Sequence, residues 1–215
     1  MTGRTNVTPL VIVGCGGFGR ELSGFVDDCN AVSPSFEIVG YVDDAPSATN
    51  RDRLAKLGHE LLGGTDWLLT APAEVAHLIA IASPRIRRMI DGRLETRTAA
   101  TLVHPHTTVA ADVEIGPGSV LCPGVRVTTN VRLGRHVHLN QNVTVGHDTA
   151  LGDWVTVNPL ASISGDVTVE PEVLFGTNST MLQGLTAGEA STIGAGACAV
   201  RDVPAGVVVK GVPAR

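Results

Sequence analysis

The chain has 215 residues, room for one large domain or two small ones, and 43% of them are apolar while only 3% are aromatic. Its 16 Lys and Arg against 21 Asp and Glu leave a formal net charge of −5. That balance argues against a nucleic-acid partner and against a polybasic membrane-surface protein, which both need basic patches. A core this poor in aromatics has to be built from Val, Ile, Leu and Ala, and the 25 glycines point to close backbone approach.

The first residues, up to Pro9, lack the apolar run of a secretory signal. No apolar stretch approaches the ~20 residues that cross a bilayer, so the expectation is a cytoplasmic protein without a membrane partner. Residues 9–13 (PLVIV) read as a short buried strand running into Gly14-Cys-Gly-Gly-Phe-Gly19. Residues 20–29 fit a helix with Leu22, Phe25, Val26 and Cys29 on one face. Residues 37–42 form a second predicted strand, ending in Asp43 and Asp44, and residues 74–82 a third. Pro84 opens a basic helix to about residue 97, a suitable place for proline in a first turn. Strand–helix alternation over residues 1–100 predicts a Rossmann-like α/β domain with a parallel sheet.

Gly14, Gly16 and Gly19 satisfy G-x-G-x-x-G after a strand and before a helix. Small residues there let backbone N–H groups and the helix N-terminus approach a phosphate. With an Asp closing the second strand, the loop alone would read as an NAD site. A hundred residues are too few for a full dinucleotide fold and a catalytic domain, however, and a different architecture follows.

From Val103 the period changes. Every sixth residue is large and apolar: Val103, Val109, Ile115, Leu121, Val127, Leu133, Leu139, Val145, Leu151, Val157, Ile163, Val169, Phe175, Met181. At 43% apolar residues, fourteen such hits in a row have a chance on the order of 10⁻⁵. The residue four further on is small or β-branched, and Gly often follows the sixth-position residue, as at Gly116, Gly134, Gly146, Gly152 and Gly176. A hexapeptide period is the mark of a parallel β-helix. Three hexapeptides make one triangular coil, residues eighteen apart stack at the ~4.8 Å strand spacing, and residues 101–215 give about six coils with no break in register before residue 187.

These hexapeptides resemble the left-handed β-helix acyltransferases, and within them the NeuD/PglD-type sugar acyltransferases. The resemblance rests on Gly14-Cys-Gly-Gly-Phe-Gly-Arg-Glu21, Tyr41-Val-Asp-Asp44, Val103-His-Pro105, Val145-Gly-His-Asp148, Gly176-Thr-Asn-Ser179 and Gly211-Val-Pro-Ala-Arg215. It implies a homotrimer that moves an acetyl group from acetyl-CoA to an amino or hydroxyl group of a sugar, often a nucleotide-linked amino sugar. The N-terminal domain (1–100) would bind the sugar nucleotide, with Gly16, Gly17 and Phe18 at its phosphates or sugar, Asp43 and Asp44 at base or ribose, and Ala82 lining the same pocket. Acetyl-CoA would lie along the β-helix domain (101–215), in the groove between neighbouring subunits, and no metal is expected.

The resemblance makes His147 the general base, and the chemistry asks for such a residue. An amine or hydroxyl attacking a thioester must lose a proton, and an imidazole titrates near working pH. His147 falls at the third hexapeptide position, beside a turn, where a side chain can face outward. Asp148 follows it, and a neighbouring carboxylate stabilises an imidazolium and fixes the ring's tautomer. Backbone N–H groups of the stacked turns would steady the thioester oxyanion.

One position departs from the family. Nine residues after the base, related enzymes often carry a second histidine that contacts acetyl-CoA; this chain has Thr156. His138, eighteen residues before Thr156, is the geometric substitute and the next candidate base. Thr177 and Ala195 fall at further CoA-contacting positions, where main-chain contact would dominate. The pairs His104/His106 and His136/His138 each place two imidazoles near one another, without a supporting cysteine or carboxylate cluster for a metal. Two other readings stay open on the sequence alone: a β-helix scaffold without activity, and an NAD-linked oxidoreductase.

Overall fold

The computed structural model describes residues 7–215, so the reading of the first residues as lacking a signal falls mostly outside the described residues. The chain divides into two units, residues up to 82 with 89–101, and residues 83–88 with 102–215.

The first unit holds β1 (Thr8–Val13), α1 (Gly17–Val32), β2 (Phe36–Val42), α2 (Ala48–Lys56), β3 (Leu61–Gly63), α3 (Trp67–Thr70), β4 (Ala76–Ile79) and the second half of α4 (Pro84–Arg93). The four strands form one parallel sheet in the order β3-β2-β1-β4. β1 is almost wholly buried, from Leu10 to Val13, as a central parallel strand covered on both faces must be. Val11, Val13, Val42, Leu68, Val75, Ile79, Ile90 and Leu94 form its core. α1 is longer than its sequence expectation, and its buried side is Gly19, Leu22, Ser23 and Val26; Phe25 and Cys29 are half-buried. α2, β3 and α3 had no sequence signal. α2 buries only Leu54 and is started by a Ser47 cap that accepts the Asn50 N–H, so it carries almost no apolar stripe to read.

The second unit contains eighteen two-residue strands, from Leu102–Val103 to Val208–Val209. They stack into three parallel sheets of seven, six and five strands, the three faces of a left-handed β-helix. Partners lie eighteen residues apart, as in His138↔Thr156 and Thr144↔Ser162. The sixth-position residues from Leu121 to Met181 point inward and are buried, together with the β-branched or small residue four further on, such as Val125, Val143 and Ala161. Val103 at the open end is partly exposed.

The period persists through Ala187, Ile193 and Ala199 and then shortens. Ala187 bridges Val203, and Thr192 pairs with Val208, sixteen residues on instead of eighteen. Ala214 follows and is buried, its N–H bonded to the Cys198 carbonyl. The shortened last coil ends the repeat.

From Gly118 to Gly196 each coil corner has a residue with positive φ, spaced by six: Gly118, Gly124, Asn130, His136, Asn142, Asp148, Trp154, Leu160 and onward. Asn and Asp tolerate the left-handed region better than other side-chain residues. This repeated corner fixes where His147, the residue before a corner, sends its ring. Among the described residues no helix is long and apolar enough to cross a membrane.

Candidate active site

His147 and Asp148 occupy the corner that follows strand Thr144–Val145, on the edge joining the six-stranded and five-stranded faces. Both side chains are open to solvent, 63% and 50% exposed. His147 Nδ1 lies 2.7 Å from Asp148 Oδ2. This contact selects the tautomer with the proton on Nδ1 and leaves Nε2 as the acceptor. Asp148 Oδ1 accepts the Asn130 side-chain amide at 2.7 Å. The Asp148 carboxyl is held below its ordinary range first by that amide and then by His147.

The imidazole rests over Gly165 in the next coil. A Cβ on Gly165 would stand 2.6 Å from both Cε1 and Nε2 of the ring, closer than any carbon tolerates. A Cβ on the preceding Gly146 would stand 2.5 Å from the Gly165 backbone N. The two glycines therefore open the space in which the base sits. Sequence reading found neither Asn130 nor Gly165. The signal that reaches them is the stacking interval: Gly165 is eighteen residues from His147, and Asn130 eighteen from Asp148.

The remaining β-helix candidates separate into two groups. Thr177 and Ala195 are exposed and stack on one another along a different edge, between the seven-stranded and six-stranded faces. Small side chains there leave the ridge open. His138 and Thr156 lie instead on strands of the seven-stranded face and are 1% and 0% exposed. Arg87 covers them. Its guanidinium donates to the Thr156 hydroxyl at 2.9 Å and to the carbonyls of His136 at 2.9 Å and Val155 at 3.1 Å. Thr156 is thus a buried, hydrogen-bonded side chain, unlike the exposed Thr177 and Ala195. The cause is a residue from outside the repeat that packs on that face. His104 is buried while His106 is exposed, and the His104 Nδ1 accepts the His106 N–H. Among the described residues no group of three His, Cys, Asp or Glu is arranged to hold a metal ion.

In the first unit the strand order places β1 between β2 and β4, so the chain switches sides there. The crevice beyond the carboxyl ends of strands at such a switch is where open parallel sheets bind ligands. Gly16, Gly17 and Phe18 follow β1, Ala82 follows β4, and Asp43 and Asp44 follow β2, so all six gather at one end of the sheet. Gly14 has φ +102° and packs against Ile81, and a Cβ on Gly19 would meet the Gly14 carbonyl at 1.9 Å. The loop is therefore a tight glycine turn into α1, whose N-cap Gly16 brings no side chain to its first-turn N–H groups.

Both acidic residues also hold loops. Asp43 Oδ2 accepts the Cys15 N–H at 2.9 Å and the Cys15 thiol at 3.2 Å, and Oδ1 accepts the Ala45 N–H. Burial, then Asp43, push the Cys15 thiol up to about 11, so it stays a protonated donor and not a nucleophile. Asp44 Oδ1 accepts the Thr65 N–H at 2.7 Å and its hydroxyl at 2.8 Å, and Arg93 pairs with Oδ2 at 3.1 Å. The Thr65 N–H above all holds the Asp44 carboxyl below its usual range.

Residues 9–94 match the PglD N-terminal domain family. The chain is similar over nearly its whole length to two solved structures. WeeI from Acinetobacter baumannii is 31% identical, with 97% of this chain and 99% of that one covered and a TM-score of 0.84. The acetyltransferase domain of PglB from Neisseria gonorrhoeae, solved in complex with acetyl coenzyme A, is 28% identical, with 98% and 99% covered and a TM-score of 0.82. A GDP-perosamine N-acetyltransferase from Escherichia coli O157:H7 is 32% identical over 135 residues, 59% of this chain and 57% of the relative. The chain thus spans little more than half the length of that relative. A match of this extent to WeeI, in the same two-part fold and with the PglD N-terminal domain in place, identifies the chain as a member of the NeuD/PglD-type sugar acyltransferases of the left-handed β-helix superfamily.

Proposed function

We propose that the protein transfers an acetyl group from acetyl-CoA to the amino group of a nucleotide-linked amino sugar, with His147 as general base. The observation that carries the proposal is the exposed His147–Asp148 pair, with Nδ1 tied to the carboxylate at 2.7 Å and the ring seated over Gly165. Family membership, a PglB domain with acetyl coenzyme A bound, and a relative named for GDP-perosamine support the donor and the acceptor class.

In this reading His147 Nε2 takes a proton from the acceptor amine as its nitrogen forms a bond to the thioester carbonyl carbon. The C–S bond breaks, and the proton passes from the imidazolium to the departing CoA sulfur. Asp148 stabilises the imidazolium between the two steps. No serine or cysteine sits in a nucleophile motif beside the base in sequence, and Cys15 is a buried, protonated thiol, which favours direct transfer within a ternary complex. The glycine loop after β1, with Phe18, Ala82, Asp43 and Asp44, holds the sugar nucleotide. Acetyl-CoA contacts Thr177 and Ala195. Their edge is separated from the His147 edge by the whole six-stranded face, which supports a homotrimer in which each site is completed by a neighbouring copy. Cyclic symmetry closes such heterologous contacts.

The test is thiol release from acetyl-CoA across a panel of amino-sugar nucleotides, with mass analysis of the product. Acetylation of an amine in a ternary-complex kinetic pattern supports the proposal. An acetyl-enzyme with ping-pong kinetics, or no release with any acceptor, overturns it. Light scattering that shows a stable monomer at assay concentration overturns the shared site.

A further inference from the structure

We infer that Asn130 is a positioning residue for the reaction, holding the Asp148 carboxylate to His147 from one coil below. The inference rests on the reading of His147 as base. The two oxygens of Asp148 are divided between two partners, Oδ1 to the Asn130 amide at 2.7 Å and Oδ2 to His147 Nδ1 at 2.7 Å. A carboxylate on an exposed corner rotates unless something grips it, and a grip at both oxygens sets its plane. Removing the amide frees that rotation without touching His147.

Asn130 is itself fixed from below. Asp112 Oδ2 accepts the Asn130 backbone N–H at 3.0 Å and the Thr129 hydroxyl at 2.6 Å. Asn130 and Asp148 share the same left-handed corner conformation, with φ of 54° and 59°, and the Asp148 N–H bonds back to the Thr129 carbonyl at 3.2 Å. Stacked corners of one conformation send their side chains the same way, so the amide meets the carboxylate above it.

The residue type matters as much as its place. A carboxylate at 130 would face Asp148 across the same short distance and repel it. A lysine or arginine would neutralise Asp148 and compete with the imidazole for it. An amide donates without taking the charge. The other charged groups around the pair are Asp112 below, Asp166 at the corresponding corner above, whose N–H bonds the His147 carbonyl, and Arg132, which borders the same recess and pairs with Glu114 at 3.5 Å.

The test uses Asn130→Gly in the full-length protein, since glycine accepts the left-handed corner and keeps the coil folded. The variant is expected to lower kcat by about threefold to tenfold, the worth of one hydrogen bond, and to leave the acetyl-CoA KM unchanged. In an Asp148→Ala background the same substitution is expected to add no further loss, because its only route is through that carboxylate. A carbon-13 titration of the Asp148 carboxyl, which needs no turnover, is expected to move to higher pH in Asn130→Gly as the stabilising donor disappears. An unmoved Asp148 titration, or an equal loss of kcat with and without Asp148, overturns the inference. Retained turnover in His147→Ala would instead overturn the base assignment, while the titration still reports on Asn130.

Discussion

Asp148 Oδ2 reaches His147 Nδ1 at 2.7 Å although the two residues are consecutive, because Asp148 adopts φ +59° at the coil corner. In an extended strand neighbouring side chains leave on opposite faces. The left-handed corner turns the second residue so that its carboxylate folds back along the first. Such a corner lets a base and its partner be adjacent in sequence, and the hexapeptide repeat supplies one every six residues.

Replacing His147 with Ala is expected to cut kcat by ~10²–10⁴-fold, the usual worth of a positioned general base. Acetyl-CoA affinity should change little, because the imidazole works on the acceptor's proton. Asp148→Asn should be milder, since it keeps a residue that tolerates the corner and removes only the charge. Steady-state kinetics on both variants check this. Near-normal turnover in His147→Ala would mean that the base lies elsewhere.

Gly165→Ala tests the seat of the ring. The new Cβ would fall 2.6 Å from Cε1 and Nε2, and an exposed imidazole yields more readily than the coil backbone. The ring must swing off its place. Displacement of a reacting group by about 1 Å can cost ~10²-fold, so kcat should fall by ~10–10²-fold while the melting temperature stays within a few degrees. Circular dichroism melts beside kinetics separate the two. A variant with a collapsed melting temperature would show that the glycine serves the coil and not the base.

The β-helix was legible because its period is linear in sequence: one inward residue per six, with no competing helix or strand period. Register told the interior from the corners, and so placed His147 outside. The same register, stepped by eighteen, would have led to Asn130 and Gly165, but each looks like an ordinary corner or turn residue in isolation. Burial of Thr156 was not legible. It involves Arg87, nearly seventy residues before it, and no repeat encodes that contact. In the first unit, β1 and its glycine loop stood out as an apolar run and a motif, whereas α2, with Leu54 as its one buried residue, offers no stripe.

Asp44 gives a pH prediction. Its carboxyl titrates below the unfolded value because of the Thr65 N–H, the Thr65 hydroxyl and Arg93. A depressed folded pKa means that the unfolded chain binds the proton more readily, so the stabilisation is complete above the unfolded value of ~3.9 and is lost as pH falls through the folded one. Acid titration followed by fluorescence of Trp67, the first residue of α3 and next to the Arg93-paired Asp66, should show the first unit loosening below about pH 4. In Asp44→Asn that acid-dependent part should flatten. The same variant should raise the acceptor KM and leave the acetyl-CoA KM nearly unchanged. An equal rise in both would contradict assignment of this end of the sheet to the acceptor.

Arg87 carries the last prediction. Its side chain is 0% exposed, and burial pushes the guanidinium down to about 9, still charged at neutral pH. It is held by oxygen atoms of two successive coils, the His136 carbonyl below and the Trp154 and Val155 carbonyls and the Thr156 hydroxyl above. Arg87→Ala leaves those acceptors dry and without this donor, and opens a void the size of the side chain. The combined loss should reach ~3–5 kcal/mol. Arg87→Lys should recover only part of it, since an ammonium on a flexible stem lacks the planar fork that spans two coils. Denaturant unfolding of the three proteins at pH 7 measures both effects. A neutral Arg87→Ala, or a lysine variant equal to the parent, would show that the face is closed by packing alone and that the bonds to the two coils contribute nothing.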